Sequence, residues 1–196
     1  IDSRELEGCN PAERLEGYDG IIVPGAFGEG GAEGVIEAIR YARECDVPFL
    51  GLCYGLQMAV VEYARNVVGL QDANSAENDA DSANLVIDIQ YNQRAVIEES
   101  RYGGTMRLGG YAAVLKRDSL VLDLYEASGR LEDDAYRIEQ MRRTPDEAFR
   151  VGVILQSERA VVERHRHRYE VSPKYVDLLE DYGLVFSGCH RREDGT

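Results

Sequence analysis

Cys53 sits in the stretch "GLCYGLQ", flanked by Gly51 and Gly55, after the apolar run "VPFL" and before a helical pattern. A cysteine at a strand-to-helix joint has the setting of a nucleophile elbow, in which a sharp turn lifts the side chain above the sheet edge. Flanking glycines let the backbone bend and let neighbouring elements approach. The helix N-terminus adds partial positive charge and free N–H groups, which suit a reacting thiol and a developing oxyanion. Cysteine is also among the most often buried residue types, so a small core filler fits the heptapeptide equally well. No histidine lies within a hundred residues of Cys53 along the chain.

A second glycine-rich stretch, "VPGAFGEGG", also follows a strand pattern. It is either an ordinary turn or a loop that brings a backbone N–H to the same site. It lacks GxxxxGK[ST] and a GxGxxG fingerprint, so nucleotide binding is discounted here. The densest basic cluster is "RHRHRYE" (164–170). In a strand, Arg164, Arg166 and Arg168 share one side, and His165, His167 and Tyr169 the other. Such arginines fit a carboxylate or phosphate, or simply charge an exposed edge strand. His165 and His167 have no third metal ligand nearby in sequence, and no metal site is expected.

These residues need elements to position them. A strand is expected at 20–23, then the glycine loop from Pro24 to Gly31, then a helix over about 32–45. Val35, Ala38, Ile39 and Ala42 mark one helical face. "VPFLGL" reads as a buried parallel strand. After Cys53 the helical period returns at Leu56, Ala59, Val60, Tyr63 and Val67, with Gly69 as a stop. This alternation predicts an α/β fold with a doubly wound, mostly parallel sheet flanked by helices. Residues 72–84 read as a polar surface loop, "LVIDI" (85–89) as a strand, and "GGTMRLGGYAAVLK" (103–116) as two antiparallel strands around a glycine turn. Residues 117–150 mix both periods, and 159–172 look extended. "SPKYVDLLEDYG" has Ser172 as an N-cap, Pro173 at the first helical position and Gly183 beyond the end. "LVFSGC" reads as a last strand.

The 196 residues are 44% hydrophobic, enough for one compact domain with a core, and no linker divides them. A net charge of −14 argues against nucleic-acid binding. With Lys116 and Lys174 the only lysines, the acidic, arginine-rich composition reflects either codon usage or adaptation to high salt. No apolar run reaches the roughly 20 residues of a membrane span, and no signal peptide pattern is present. The four cysteines form no CxxC pair and are expected to be reduced thiols in a cytosol. The chain starts at Ile1 rather than Met, so a segment of a longer protein is expected.

Taken together, "GIIVPGAFGEGGAEGVIEAIRYARE", "PFLGLCYGLQMAVVEYARNVVGL", "ANSAE", "GGTMRLG" and "ERHRHRYEV" resemble, in that order, the glutaminase domain of the CTP synthase family, within the class I glutamine amidotransferases. The resemblance covers nearly the whole chain. The elbow alone points only to the class. "EYARNV", "GGTMRLG" and "RHRHRYEV" are more specific.

The resemblance implies a flavodoxin-like architecture for one glutamine amidotransferase domain, 1–196, without the N-terminal synthase domain. It implies that Cys53 attacks the glutamine side-chain amide and that the N–H groups of Ala26 and Tyr54 form the oxyanion hole. It implies that Gly25, Gly55, Leu56, Gln57, Glu77, Arg168 and Tyr169 hold L-glutamine. Glu77 suits an ammonium and Arg168 a carboxylate. The domain is expected to need no cofactor. The whole enzyme is expected to be cytoplasmic and tetrameric, to use Mg2+ and ATP in aminating UTP, and to respond to GTP as activator. Two departures stand out. The family's PGGFG loop is Pro24-Gly25-Ala26-Phe27-Gly28 here, which would hurt if Ala26 needed a positive φ. The family's HPE segment, which carries the catalytic histidine and glutamate, is not in this chain, and His165, His167 and His190 do not match it. Truncation is the expected reason. The alternatives are another class I glutaminase or γ-glutamyl hydrolase, or an inactive glutamine-binding or assembly module.

Overall fold

A computed structural model of the protein describes residues 1–26, 30–89, 107–145 and 148–193. The chain divides into two compact units. The first holds residues 1–102 and 168–184, the second 103–167 and 185–196.

The first unit opens with a 3-10 turn (Ser3–Leu6) and a short helix α1 (Ala12–Leu15). Strands β1 (Ile21–Val23) and β2 (Phe49–Gly51) pair in parallel, joined by α2 (Ala32–Glu44). The expected face of α2 is the buried one: Val35, Ala38, Ile39 and Ala42 are all in the core. Helix α3 (Tyr54–Tyr63) runs into a π-helical turn, Ala64–Val68, and Gly69 ends it at φ 90°. Here a single apolar stripe does not describe the packing. Leu56 is 50% exposed, whereas Tyr54, Gly55, Gln57, Met58, Val60, Val61 and Glu62 are buried. The reason is that α3 packs against α2, β1 and β2, and also against β3 (Ala73–Ser75), β4 (Asn84–Ile89) and β8 (Tyr169–Val171). Burial therefore reaches round most of the helix. β3 lies parallel to β4, and β8 antiparallel to it. Met58, Val61, Ala64, Ala73, Val86 and Ile87 are fully buried, and so is Leu179 of α6 (Pro173–Asp181). Ser172 occupies the N-cap of α6 and Pro173 its first position.

The phrase "EYARNV" turns out to be structural. Glu62, 1% exposed, accepts from Arg43 of α2 at 2.8 Å and from Asn66 at 3.1 Å. The Tyr63 hydroxyl donates to the Tyr182 carbonyl at 2.7 Å. Arg65 donates to the Ala73 carbonyl at 2.6 Å and forks onto Glu33 at 3.0 and 2.9 Å. Glu62 and Arg65 thus both reach α2, Arg65 also reaches β3, and Tyr63 reaches the end of α6.

In the second unit, β5 (Arg107–Leu115) is one continuous strand, not two around a turn. It pairs with β6 (Phe149–Arg150), β7 (Ala160–His167) and β9 (Gly188–Cys189). Gly109 and Gly110 lie inside it. A Cβ on Gly109 would overlap the Ala148 carbonyl, and one on Gly110 would sit 2.5 Å from the Phe149 ring. The glycines therefore admit β6 rather than turn the chain; residues 103–106 lie outside the described residues. The ambiguous 117–150 region holds two helices, α4 (Leu120–Ala127) and α5 (Arg130–Arg143). Ala112, Val114, Ile138, Ala160 and Val162 form the core of this unit. Asp134 is fully buried there; it accepts from the Val162 N–H at 2.9 Å and pairs with Arg130 and Arg137. Residues 159–172 are extended as expected but break at Arg168 into β7 and β8. Of "LVFSGC", only Gly188–Cys189 is strand.

The fold is thus mixed α/β, with parallel strand pairs, flanking helices and antiparallel partners at β7, β8 and β9.

Candidate active site

Every residue expected at the site belongs to the first unit. Cys53 is the N-cap of α3 and holds φ 54°, ψ −100°. A non-glycine residue in that region costs on the order of 1–3 kcal/mol and persists only where its surroundings enforce it. Here they do. The Leu52 N–H donates to the Val23 carbonyl at 2.9 Å, which fixes the chain entering the turn. The Gly55 N–H closes onto the Leu52 carbonyl at 3.1 Å, and the Gln57 N–H onto the Cys53 carbonyl at 3.1 Å.

The two glycines are required for space. A Cβ on Gly55 would overlap the Val23 carbonyl and lie 2.9 Å from its Cβ. A Cβ on Gly51 would lie 2.6 Å from the carbonyl carbon of Gly55. The strand and the helix start therefore meet backbone to backbone, and Cys53 is pushed outward. It is exposed, which removes the core-filler reading. Cys9, Cys45 and Cys189 are exposed free thiols as well.

Gly25, in the loop after β1, faces the nucleophile: a Cβ there would stand 3.5 Å from the Cys53 Cβ. Gly25 and Ala26 are exposed. Among the described residues, the non-glycine positions with positive φ are Asp46, Cys53 and Asp118. Ala26 thus carries no left-handed strain.

Gln57 is buried on the first turn of α3; its Nε2 donates to the Tyr169 carbonyl at 2.9 Å. Its Oε1 and the Nε of Arg168 are buried without a hydrogen-bond partner. Two such atoms on adjoining elements are what a polar ligand would satisfy. Burial pushes the Tyr169 phenol up from its ordinary pKa; the Glu77 carboxylate adds to this, and Arg168 opposes it. Burial also raises the Tyr54 phenol, against a hydrogen bond to Asn78, with Glu77 again adding to the shift. The field of Glu77 thus reaches both tyrosines. Helix α3 itself packs on β8, where Gln57 bonds the Tyr169 carbonyl, and Arg168 directly precedes Tyr169 in the chain. A carboxylate and a guanidinium on one such site can hold an ammonium and a carboxylate.

The arginine row does not survive intact. Arg164 and Arg166 are exposed on β7, whereas Arg168 lies in the break before β8 and is half-buried. The histidines gather in the second unit. His165 Nδ1 and His167 Nε2 share a hydrogen bond at 2.9 Å, and Tyr111 packs against the rings of both His165 and His190. Burial, then Arg107, His167 and His190, lower the His165 pKa from 6.5 to about 3. Among the described residues, no group of three or more His, Cys, Asp or Glu is placed to hold a metal ion. Nor is any helix long and apolar enough to cross a membrane.

Sequence reasoning missed Ser75 and Asn78, which it left in a polar loop. Ser75 is fully buried. Asn78 accepts from the Tyr54 hydroxyl at 3.5 Å. The only signal was the serine two residues before Glu77 in "ANSAE".

Comparison with known proteins places this geometry. The profile of the family described as glutamine amidotransferase class-I matches residues 4–192. The CTP synthase of Methanosarcina acetivorans is 47% identical over 193 residues, which are 97% of this chain and 30% of that protein. Those of Methanococcoides burtonii and Natronomonas pharaonis are each 46% identical, over 91% and 96% of the chain. The chain spans 27% and 28% of their lengths. Among solved structures, the glutaminase domain of a Trypanosoma brucei CTPS with bound acivicin matches with a TM-score of 0.73 and 34% identity, over 96% of this chain and 60% of that one. With the profile spanning nearly all of its residues and the elbow cysteine where the strand meets the helix, the chain belongs to the class I glutamine amidotransferases.

Proposed function

We propose that this chain is the glutaminase part of a CTP synthase, which hydrolyses L-glutamine and passes ammonia to a synthase domain of the same protein. The observation that carries the reading is Cys53, exposed and held at φ 54° by a backbone-to-backbone packing that only Gly51 and Gly55 permit.

The Cys53 sulfur attacks the carboxamide carbon, and the carbonyl π electrons move to oxygen. The N–H groups of Tyr54 and Ala26 meet that oxyanion; the first N–H groups of a helix have no partner within it. Collapse of the intermediate breaks the C–N bond. The nitrogen leaves as ammonia after taking the proton that the thiol gave up, and a glutamyl thioester remains. Water then cleaves the thioester to glutamate and restores the thiol. Glu77 meets the α-ammonium, and Arg168 the α-carboxylate. Gln57, Tyr169, Gly25, Gly55 and Leu56 line the remainder. The base that moves the proton is proposed to come from residues outside this chain, since the relatives are more than three times its length. Amination of UTP with ATP and Mg2+, activation by GTP, a tetramer and a cytoplasmic location belong to the same proposal for the whole protein.

The test uses the whole protein and a glutamine-like electrophile. Peptide mapping is expected to place the adduct on Cys53, with ammonia release lost in step. Labelling of Cys9, Cys45 or Cys189 while Cys53 stays free would overturn the reading.

A further inference from the structure

Glu77 is carried by a short turn, and the turn is organised by one buried hydroxyl. The parallel pairing of β3 with β4 shifts register between Asn74 and Ser75, so the chain leaves the sheet at Ser75. Five bonds then fix its path. The Asn74 side chain takes the Ser75 N–H at 2.9 Å. The Ser75 carbonyl takes the N–H groups of Asn78 and Asp79, each at 3.0 Å. The Ala76 N–H returns to the Ile87 carbonyl at 2.9 Å. The Ser75 Oγ takes the N–H of Glu77 itself at 3.2 Å.

The next residue docks the turn onto α3. Asn78 accepts from the Tyr54 hydroxyl and donates to the Met58 sulfur, both at 3.5 Å. Tyr54 follows the nucleophile, and its own N–H is the proposed oxyanion donor. The turn that carries Glu77 and the helix that begins at the elbow are therefore joined through Asn78. A polar loop selected only for solvation would not bury a serine completely, yet Ser75 has no exposure.

We propose that Ser75 is a positioning residue for substrate selection: by holding the backbone N–H of Glu77, it sets the carboxylate at the distance from Cys53 at which an α-amino acid amide is recognised by its ammonium. The inference rests on the reading of Glu77 as the group that meets that ammonium. Ser75 touches no substrate. Without its hydroxyl, the Glu77 N–H loses its acceptor and the turn gains freedom where the carboxylate must be still.

The test compares two substrates in the full-length enzyme: glutamine, and the same amide without the α-amino group. Ammonia release gives kcat/KM for each, and their ratio is insensitive to the fraction of enzyme that is folded. Glu77→Gln is expected to collapse the preference for glutamine. Ser75→Ala is expected to shrink it in the same direction, raising KM for glutamine about tenfold, the size of one lost buried hydrogen bond, with kcat held within about threefold. Should the alanine variant not fold, Ser75→Cys fills the site with a poorer acceptor and is expected to give an intermediate ratio. If Glu77→Gln collapses the ratio and neither Ser75 variant moves it, Ser75 only supports the strand and the proposal falls alone. An unchanged ratio in Glu77→Gln would overturn the reading of Glu77 and the proposal with it.

Discussion

Removing the Glu62 carboxylate should loosen the packing of α2 on α3 and, with it, the elbow at the start of α3. Glu62 is 1% exposed, and its oxygens accept from Arg43 Nε at 3.2 and 3.1 Å, from Arg43 Nη2 at 2.8 Å and from Asn66 at 3.1 Å. Taking away one partner of a buried ion pair costs about 3–5 kcal/mol. Arg43 is one-third exposed and keeps a contact to Glu44 at 3.5 Å, so its stranded charge is only partly uncompensated. That lowers the expected cost of Glu62→Ala to about 2–3 kcal/mol. A cost of that size makes local opening about 30- to 150-fold more frequent. Hydrogen exchange read by mass spectrometry on peptides covering α2 and α3 reports it directly, without assuming that a longer protein unfolds in one step. Glu62→Gln keeps the volume and the Asn66 contact, and should cost about half as much. An alanine variant whose α2 and α3 peptides exchange less than about threefold faster would refute the argument, because it would mean that the pair only offsets its own desolvation.

Two further outcomes follow from the packing of the elbow and of the histidine cluster. Gly55→Ala places a methyl carbon 2.9 Å from the Val23 Cβ, and overpacking of that kind costs about 1–3 kcal/mol. The elbow should open, and labelling of Cys53 by the electrophile should slow even in protein that remains folded by circular dichroism. Stability of the second unit should fall in acid through His165. Its folded pKa, about 3, lies below the ordinary 6.5, so the unfolded chain takes up the proton first. The contribution is complete above pH 6.5 and is lost as pH falls toward 3. The full interval corresponds to about 5 kcal/mol, and solvent screening of a partly exposed ring brings it to about 1–2 kcal/mol. Exchange of β5 and β7 peptides should accelerate over that window in the native protein and much less in His165→Gln; equal acceleration in both would remove His165 as the cause.

What could be read from the sequence depended on whether the constraint was local. The elbow is local: a cysteine between two glycines at a strand-to-helix joint has few backbone solutions, and the structure adopts the one that exposes the thiol, although β2 is not the buried strand expected, with Leu50 exposed. The face of α2 is local too, and Val35, Ala38, Ile39 and Ala42 are buried as the helical period requires. Helix α3 defeats the same method because it meets strands from several directions, which puts Gln57 and Glu62 in the core and Leu56 in solvent. Glycine is ambiguous for a related reason. In "GLCYGLQ" and in "RLGGYAA" it serves close approach, but only the second lies mid-strand, where its neighbour Ala148 is far away in sequence and invisible to a local reading. "EYARNV" shows that a highly specific phrase need not be chemical, since its side chains bind α2, the Ala73 carbonyl and the Tyr182 carbonyl. Conversely, "ANSAE" looked like loop, and it carries the turn on which Glu77 stands. Chemistry was legible where it bends the backbone, and hidden where it rests on a hydroxyl whose partner is an amide two residues away.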